Sequence, residues 1–459
     1  MAVALDPAWL RTPLGPSADA EALLPELTAI FRRSERKGPL LLGLEQEKVS
    51  YRLDDGGPVP YFGKHGIHRL LLELCARFGW QPEYTEGFLL SLSRGAAKIT
   101  LEPGGQVELS GSPLTDLLQV QRELTEHIDE VVSIGDDLGI GFSTLGFHPL
   151  RNPDDIEFVP KPRYPIMRRY FRSAGTRGRY MMANTATVQV NLDFASEADA
   201  LEKIRAGQRA SPYVTAIFAN APFEHGKDTG WASRRYFTWL DVDNTRAGLL
   251  PFLEREDAGY EAYARWGLQA PMFGIHRDDL FIPAPPISFQ AFLTAGYAGA
   301  QPNQEDWYDH LGTLFPEVRI KRTIELRGAD SGGIAHSLAV AGMWRGLLDD
   351  PDTRRRLLCE LPPLDALPEA GGPRALQRIV AERGLQGVFG GERIIDVAAR
   401  LVVLARRGLY ALSDPLAGSV LDPVMAALDD GLTPAALLSR QLGKKTGKAL
   451  LDATRYSRR

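Results

Sequence analysis

The sequence predicts an α+β fold: a curved, mostly antiparallel sheet surrounded by helices, with a helical C-terminal segment. Three observations predict it. Short β-friendly runs recur between irregularly spaced helical patterns, without the regular strand–helix alternation that builds a parallel sheet. Several of these runs place carboxylates, amides or an arginine at alternate positions, so that one strand face is polar. After Ile334 the pattern is helical almost to the end. With 459 residues, 44% hydrophobic and 24% charged, the chain suffices for one large or two medium domains. No repeat, low-complexity stretch or linker divides it. A single unit over 1–459 is therefore expected, sheet-rich across 37–333 and helical across 334–459.

Each element has a local signal. Residues 18–36 carry helical periodicity, and the apolar run before Leu44-Glu45-Gln46-Glu47-Lys48 reads as a strand. Residues 64–78 form an amphipathic helix with Ile67, Leu70, Leu71, Leu74 and Cys75 on its stripe, and short strands follow through Glu108. Ser112 and Pro113 signal the start of a long helix over 114–138, and 139–145 returns as a strand. A basic helix over 164–172 leads to the strand around Gln189. Ser196 and Asp199 then open a helix over 196–219. Alternation across 234–240 predicts a strand, and a proline-rich stretch over 281–287 precedes the strand around Glu325.

Chemistry concentrates on four of these segments. Alternation puts Glu45 and Glu47 on one face of their strand. Two carboxylates on a buried strand need a divalent metal or an Arg/Lys cluster, and otherwise a wet sheet edge, which is the plainer reading of one E-x-E motif alone. Downstream, Pro103-Gly104-Gly105 reads as a turn closing a hairpin, with Glu102 and Gln106 facing across its mouth and Glu108 on the same face. Gln189, Asn191 and Asp193 line one face of a third strand, and Glu325 and Arg327 one face of a fourth. Together the segments suggest one polar funnel inside a curved sheet.

Composition excludes several classes. A net charge of −5 argues against a nucleic-acid binder. The two cysteines, Cys75 and Cys359, support neither a disulfide framework nor a thiolate metal site, which points to a reducing compartment. The first residues lack the basic and apolar blocks of a signal peptide, and no apolar run approaches the roughly 18 residues of a membrane span, so a cytoplasmic enzyme is expected. The glycine–lysine run at 443–449 lacks the spacing of a phosphate loop and reads as a solvated tail. His148, His276 and His336 read as structural or surface residues. The arginine-rich stretch 163–179 suits either phosphate or a solvated face.

Beyond these residue-level readings, the stretches Leu44-Glu-Gln-Glu-Lys48, Leu101-Glu-Pro-Gly-Gly-Gln-Val-Glu-Leu-Ser-Gly111, Ala186-Thr-Val-Gln-Val-Asn-Leu-Asp-Phe194, Phe315-Pro-Glu-Val-Arg319 and Glu325-Leu-Arg-Gly-Ala-Asp330 resemble the plant-type glutamate–cysteine ligases over nearly the whole length. The resemblance implies the glutamine-synthetase-like carboxylate–amine ligase fold, an antiparallel half-barrel funnel with ATP entering at one end and amino acids at the other. It implies that ATP phosphorylates the γ-carboxylate of glutamate and that the amine of cysteine attacks the acyl phosphate, giving γ-glutamylcysteine, the first step of glutathione synthesis. All-oxygen ligands select a hard ion, so Mg2+ is implied, with Mn2+ able to substitute. The matching positions put Glu45, Glu47, Glu102, Glu108 and Glu325 around the metal with Gln189 beside it, and make Gln189 and Arg327 the implied cofactor-binding residues. Arg327, Glu47 and Glu325 are the implied catalytic residues, Arg327 stabilising the transferring phosphoryl group. Arg235 is implied to grip the glutamate α-carboxylate, with Arg234 outward on the opposite strand face.

Departures from the plant pattern cluster at the expected amino-acid end. Asn184 stands where the plant enzymes have arginine, Phe273 replaces tyrosine, and Gly333-Ile334-Ala335-His336 stands for Pro-Trp-Arg-Arg. If Asn184, Phe273 and Ile334 bind substrate, the acceptor pocket should be looser and more apolar, and a γ-glutamyl ligase with another amine acceptor is the alternative reading. A catalytically inactive binding protein is disfavoured because all five metal carboxylates are present. The expected partners are glutamate, cysteine and ATP, with no nucleic acid and no membrane, for a monomer or homodimer. The cysteine pairs tied to redox control in plant members are missing from 282–301. Activity and oligomeric state should therefore be unchanged by dithiothreitol, as enzyme assays and size-exclusion chromatography with and without reductant would show.

Overall fold

A computed structural model describes residues 6–15, 20–277, 280–367 and 371–457. Its centre is a nine-stranded sheet: β1 (Leu42–Arg52), β2 (Gln81–Thr85), β3 (Phe88–Arg94), β4 (Ala97–Leu101), β5 (Val107–Ser110), β6 (Ile140–Ser143), β7 (Val188–Leu192), β8 (Val318–Ile320) and β9 (Ile324–Leu326). The strand order is β8-β9-β7-β1-β5-β4-β3-β2, with β6 on the far half of β1. Every pairing within it is antiparallel.

β1 organises the rest. Its first half lies between β5 and β7, and its second half pairs with β6. The register sets Glu47 directly opposite Glu108, Glu45 opposite Gln189, and Glu325 opposite Asn191. At the turn between β4 and β5, Glu102 N donates to Gln106 O (3.0 Å) and Gly105 N donates to Glu102 O (2.9 Å). Two glycines are needed there. Gly105 has φ +78°, and a Cβ on Gly104 would stand 2.7 Å from Ala183 O. The outer strand β2 holds Pro82 and slips register between Glu83 and Tyr84.

Helices cover the apolar reverse face. Helix Leu117–Leu138 packs on β6, and helix Ile334–Leu348, buried on nearly all sides, packs on β7 and β1. Asp116 caps the first of these by accepting from Gln119 N (2.9 Å), a few residues beyond the start predicted at Ser112 and Pro113. Ser196 caps helix Glu197–Ile217 as expected, accepting from Asp199 N (3.2 Å). Beyond residue 334 the described chain is helical apart from a small hairpin of Val388–Phe389 and Glu392–Arg393.

One predicted strand is a helix. Residues 234–240 carry helix Arg234–Trp239, capped by Ser233 Oγ accepting from Tyr236 N (2.9 Å). Six residues are too few for period 2 and period 3.6 to be told apart, and the capping serine decided the outcome. Arg234 is consequently not outward. It pairs with Glu224 and stacks on Trp231 and Phe237, 4.8 and 4.6 Å from their ring centres.

Helices Ile334–Leu348 and Ile394–Ala411 cross backbone to backbone, and a Cβ on Gly408 would collide with Gly346 O. Gly408→Ala should thus destabilise the chain by about 2–3 kcal/mol through overpacking. A drop in the denaturant midpoint measures this, whereas Gly418→Ala, with only a Tyr410 hydroxyl 3.4 Å from the added carbon, should leave it nearly unchanged.

Candidate active site

Alternation along β1 sends Glu45 and Glu47 to one face, where they meet Glu108 from β5 and Gln189 from β7. These side chains, with Glu102, Arg163, Arg319 and Arg327, line a cavity of about 180 Å³. Two further cavities share its walls. One of about 250 Å³ shares Trp239, Phe315 and Arg327 and adds Arg235, Tyr236, Asn244, Glu317 and Gln377. The other, about 260 Å³, shares Glu45 and Arg319 and adds Lys98, Asn191, Tyr308, Lys321, Thr323 and Glu325. The carboxylate cavity therefore lies between the other two and shares a wall with each.

Charge is divided unevenly across this surface. Glu325 is held by Arg319, whose Nη2 and Nε donate to Oε2 at 2.6 and 3.1 Å, and by Arg327. Burial pushes the Glu325 carboxyl up, but the two guanidinium groups outweigh it and hold it below the usual range. Arg327 Nη1 also donates to Gln189 Oε1 (2.6 Å). Glu47 accepts from Thr187 N (3.0 Å) and from Gln189 Nε2 (3.4 Å), and Glu45 accepts from Asn191 Nδ2 (2.9 Å). Thr100 donates its hydroxyl to Glu108. These contacts do not offset the clustering. Burial, then the charge of Glu102, raises Glu47 to about 8. Burial and the neighbouring carboxylates raise Glu45 and Glu108 as well, the largest carboxylate effect coming from Glu325 for the first and Glu45 for the second.

Arg163, Arg319 and Arg327 stand in the same cavity, but among the described residues none of them forms an ion pair with Glu45, Glu47 or Glu108. The site's donors are all oxygens, which fits a hard divalent cation. Among the described residues no three carboxylates or imidazoles converge on one point, so the five glutamates do not form a closed cage. An ion bound by one or two carboxylates and completed by phosphate oxygens suits such an arrangement.

The sequence pattern of glutamate–cysteine ligase family 2 (GCS2) matches residues 41–452. The chain belongs to this family. It is 38% identical over 400 residues to glutamate–cysteine ligase B, chloroplastic, of Oryza sativa subsp. japonica, covering 86% of this chain and 79% of the rice protein. It is 37% identical over 412 residues to glutamate–cysteine ligase, chloroplastic, of Arabidopsis thaliana, covering 89% of this chain and 77% of the relative. A crystal structure of glutamate–cysteine ligase from Francisella tularensis in complex with AMP shares the fold, with a TM-score of 0.54 at 14% identity, covering 92% of this chain and 88% of that one.

Against this family background, the residues expected at the amino-acid end sit elsewhere. Asn184 is fully buried and donates Nδ2 to the carbonyls of Arg151 (2.8 Å) and His148 (3.4 Å). Phe273 packs against Tyr170 and Phe171 beneath Arg246, whose guanidinium lies 4.5 Å from its ring centre. Ile334 begins its helix and packs against the core. None of the three lines the three cavities described. Arg235 does line a cavity, but from a helix, and its guanidinium donates to Gly328 O (2.9 Å) and Arg327 O (2.7 Å) beside Asp330. It braces the turn after β9.

Sequence reasoning missed Arg319 and Arg163 as site residues. Arg319 was legible in principle. Residues 318–326 read as two strands around a turn, which sets Arg319 opposite Glu325. Arg163 reaches the cavity only through tertiary packing. If these glutamates serve chemistry rather than folding, Glu47→Gln should cut turnover by about 100-fold or more while leaving the melting temperature equal or higher, since it removes like-charge repulsion. Steady-state assays and thermal melts of the same preparation would check both.

Proposed function

We propose that the chain carries out its ligation through a γ-glutamyl phosphate formed in the carboxylate cavity, beside the wall it shares with the cavity of Arg235 and Glu317. ATP-dependent joining of glutamate to cysteine, the first step of glutathione synthesis, follows from membership of the family. In the proposed sequence a γ-carboxylate oxygen of glutamate takes the γ-phosphoryl group and ADP leaves. The amine nitrogen of cysteine then attacks the acyl carbon, the C–O bond to phosphate breaks, and the amine loses a proton as the amide forms.

The observation that carries this reading is Arg327, which bridges Glu325 and Gln189 in the wall shared by two cavities. Transfer between two anions needs fixed positive charge at the crossing point, and a guanidinium already held there requires little reorganisation as charge develops. Arg319, fixed by Glu325, adds a second positive group on the side of Lys98 and Lys321. One or two at a time of Glu45, Glu47, Glu102, Glu108 and Glu325 would hold Mg2+, or Mn2+ in its place, together with phosphate oxygens; when bound, the ion would neutralise phosphate charge. Gln189 orients Arg327 and Glu47 together. Arg235 would reach the glutamate α-carboxylate only by exchanging one of its backbone partners.

The remaining parts of the reading are a single catalytic unit across 1–459 acting as a monomer or homodimer in a cytoplasmic, reducing setting. Free thiols at Cys75 and Cys359 support it. Among the described residues no helix is long and apolar enough to cross a membrane.

Arg327→Ala should lower kcat by about 100- to 1,000-fold with much smaller changes in KM for ATP and glutamate. Chelation should abolish ADP release, and added Mg2+ should restore it. Phosphate release with a panel of amines should show cysteine preferred. Full turnover in the chelated enzyme, or wild-type kcat in Arg327→Ala, would contradict the scheme.

A further inference from the structure

The face of β1 opposite Glu45 and Glu47 meets the segment 454–456. Thr454 follows the helix Lys448–Ala453, and its carbonyl accepts from Thr144 N (2.8 Å) and Thr144 Oγ1 (3.0 Å). Arg455 bridges to Ser143 at the outer edge of β6 and pairs with Asp136. Tyr456 N then donates to Phe142 O (2.9 Å), and the side chain turns inward to 6% exposure. Its hydroxyl accepts from Gln46 Nε2 (2.6 Å) and donates to Gly332 O. Gln46 lies between Glu45 and Glu47 in sequence, on the reverse face. Next to it, Ser331 Oγ donates to Glu47 O (2.6 Å). One buried hydroxyl, with donor and acceptor both used, joins the carboxylate strand to the turn that follows Arg327.

We infer that Tyr456 is a positioning residue for the ligation. Acting from behind the sheet, it fixes β1 against the segment 330–332, and with it the placement of Glu47 relative to Arg327. The inference rests on the roles proposed for those two residues. A hydroxyl bonded at both ends is directional, and a displacement of about 1 Å at a reacting centre can cost on the order of 100-fold in rate.

The test is Tyr456→Phe in the full chain. The expected result is a fall in kcat of about tenfold or more, KM values for ATP, glutamate and cysteine within about twofold, and faster amide exchange at Gln46, Glu47 and Lys48. Tyr51→Phe is the control. It removes another buried hydroxyl of β1, one that donates to Leu451 O (3.2 Å) and leaves Gln46 untouched, so kcat should not change. Gln46→Met cuts the same bond from the other end, and the double variant should fall no further than the worse single. Wild-type kcat in Tyr456→Phe, an equal loss in Tyr51→Phe, or additive losses in the double would each overturn the inference. Should Tyr456→Phe not fold, wild-type kcat in Gln46→Met does so. Glu47→Gln assayed alongside separates the failures. If it stays active, the site reading falls and takes this inference with it; if it is dead and Tyr456→Phe is normal, only this inference falls.

Discussion

Glu47 and Glu108 stand directly opposite each other on neighbouring strands, and the rest of the structure is arranged around that repulsion. Were both ionised, charges about 5 Å apart at an effective dielectric of about 20 would cost on the order of 3 kcal/mol, and the fold meets this by raising both carboxyls above the usual carboxylate range. Burial adds to the cost, and among the described residues no arginine is paired with either carboxylate in the way that Glu325 is paired. The fold tolerates this because the reverse face of the same strands is tightly packed. Leu44, Leu109, Val188 and Val190 are fully or almost fully buried.

The two faces of β1 divide the work. On one side the polar residues leave their charge unbalanced and available to an incoming cation or phosphate. On the other, polar groups satisfy one another: Lys48 Nζ donates to Gln46 Oε1 (2.7 Å) and Gln46 O (3.1 Å), and Gln46 donates to Tyr456. Lys48 is itself buried, which lowers it to about 7 against the pull of Glu108 and Glu47. A strand with six of its eleven residues between Leu42 and Arg52 polar or charged can sit at the centre of a sheet only if each side has its own compensation.

Much of this was legible in the sequence where period 2 operates alone. Which side chains share a face of each strand, and the hairpin around Pro103-Gly104-Gly105, follow from alternation and turn chemistry; the order that sets β1 between β5 and β7, and β7 beside β9, is made by long-range pairing that alternation does not specify. Alternation fails where segments are short or where tertiary packing decides. The 234–240 stretch became a helix through one capping serine, and Arg235 thereby gained backbone partners that a strand would not have given it. Asn184, Phe273 and Ile334 are named by position in a pattern, but their surroundings are set by loops and helices distant in sequence, which no local period encodes.

The outer strand β2 has a consequence for how the molecule coexists with its own copies. An open sheet ends in a row of free backbone groups, a template on which a second chain could add a strand. Pro82 removes one donor from that row, and the slip between Glu83 and Tyr84 breaks its repeat, so an added strand would find no continuous ladder. The sheet can therefore stay open at this margin without the margin becoming a seed for aggregation.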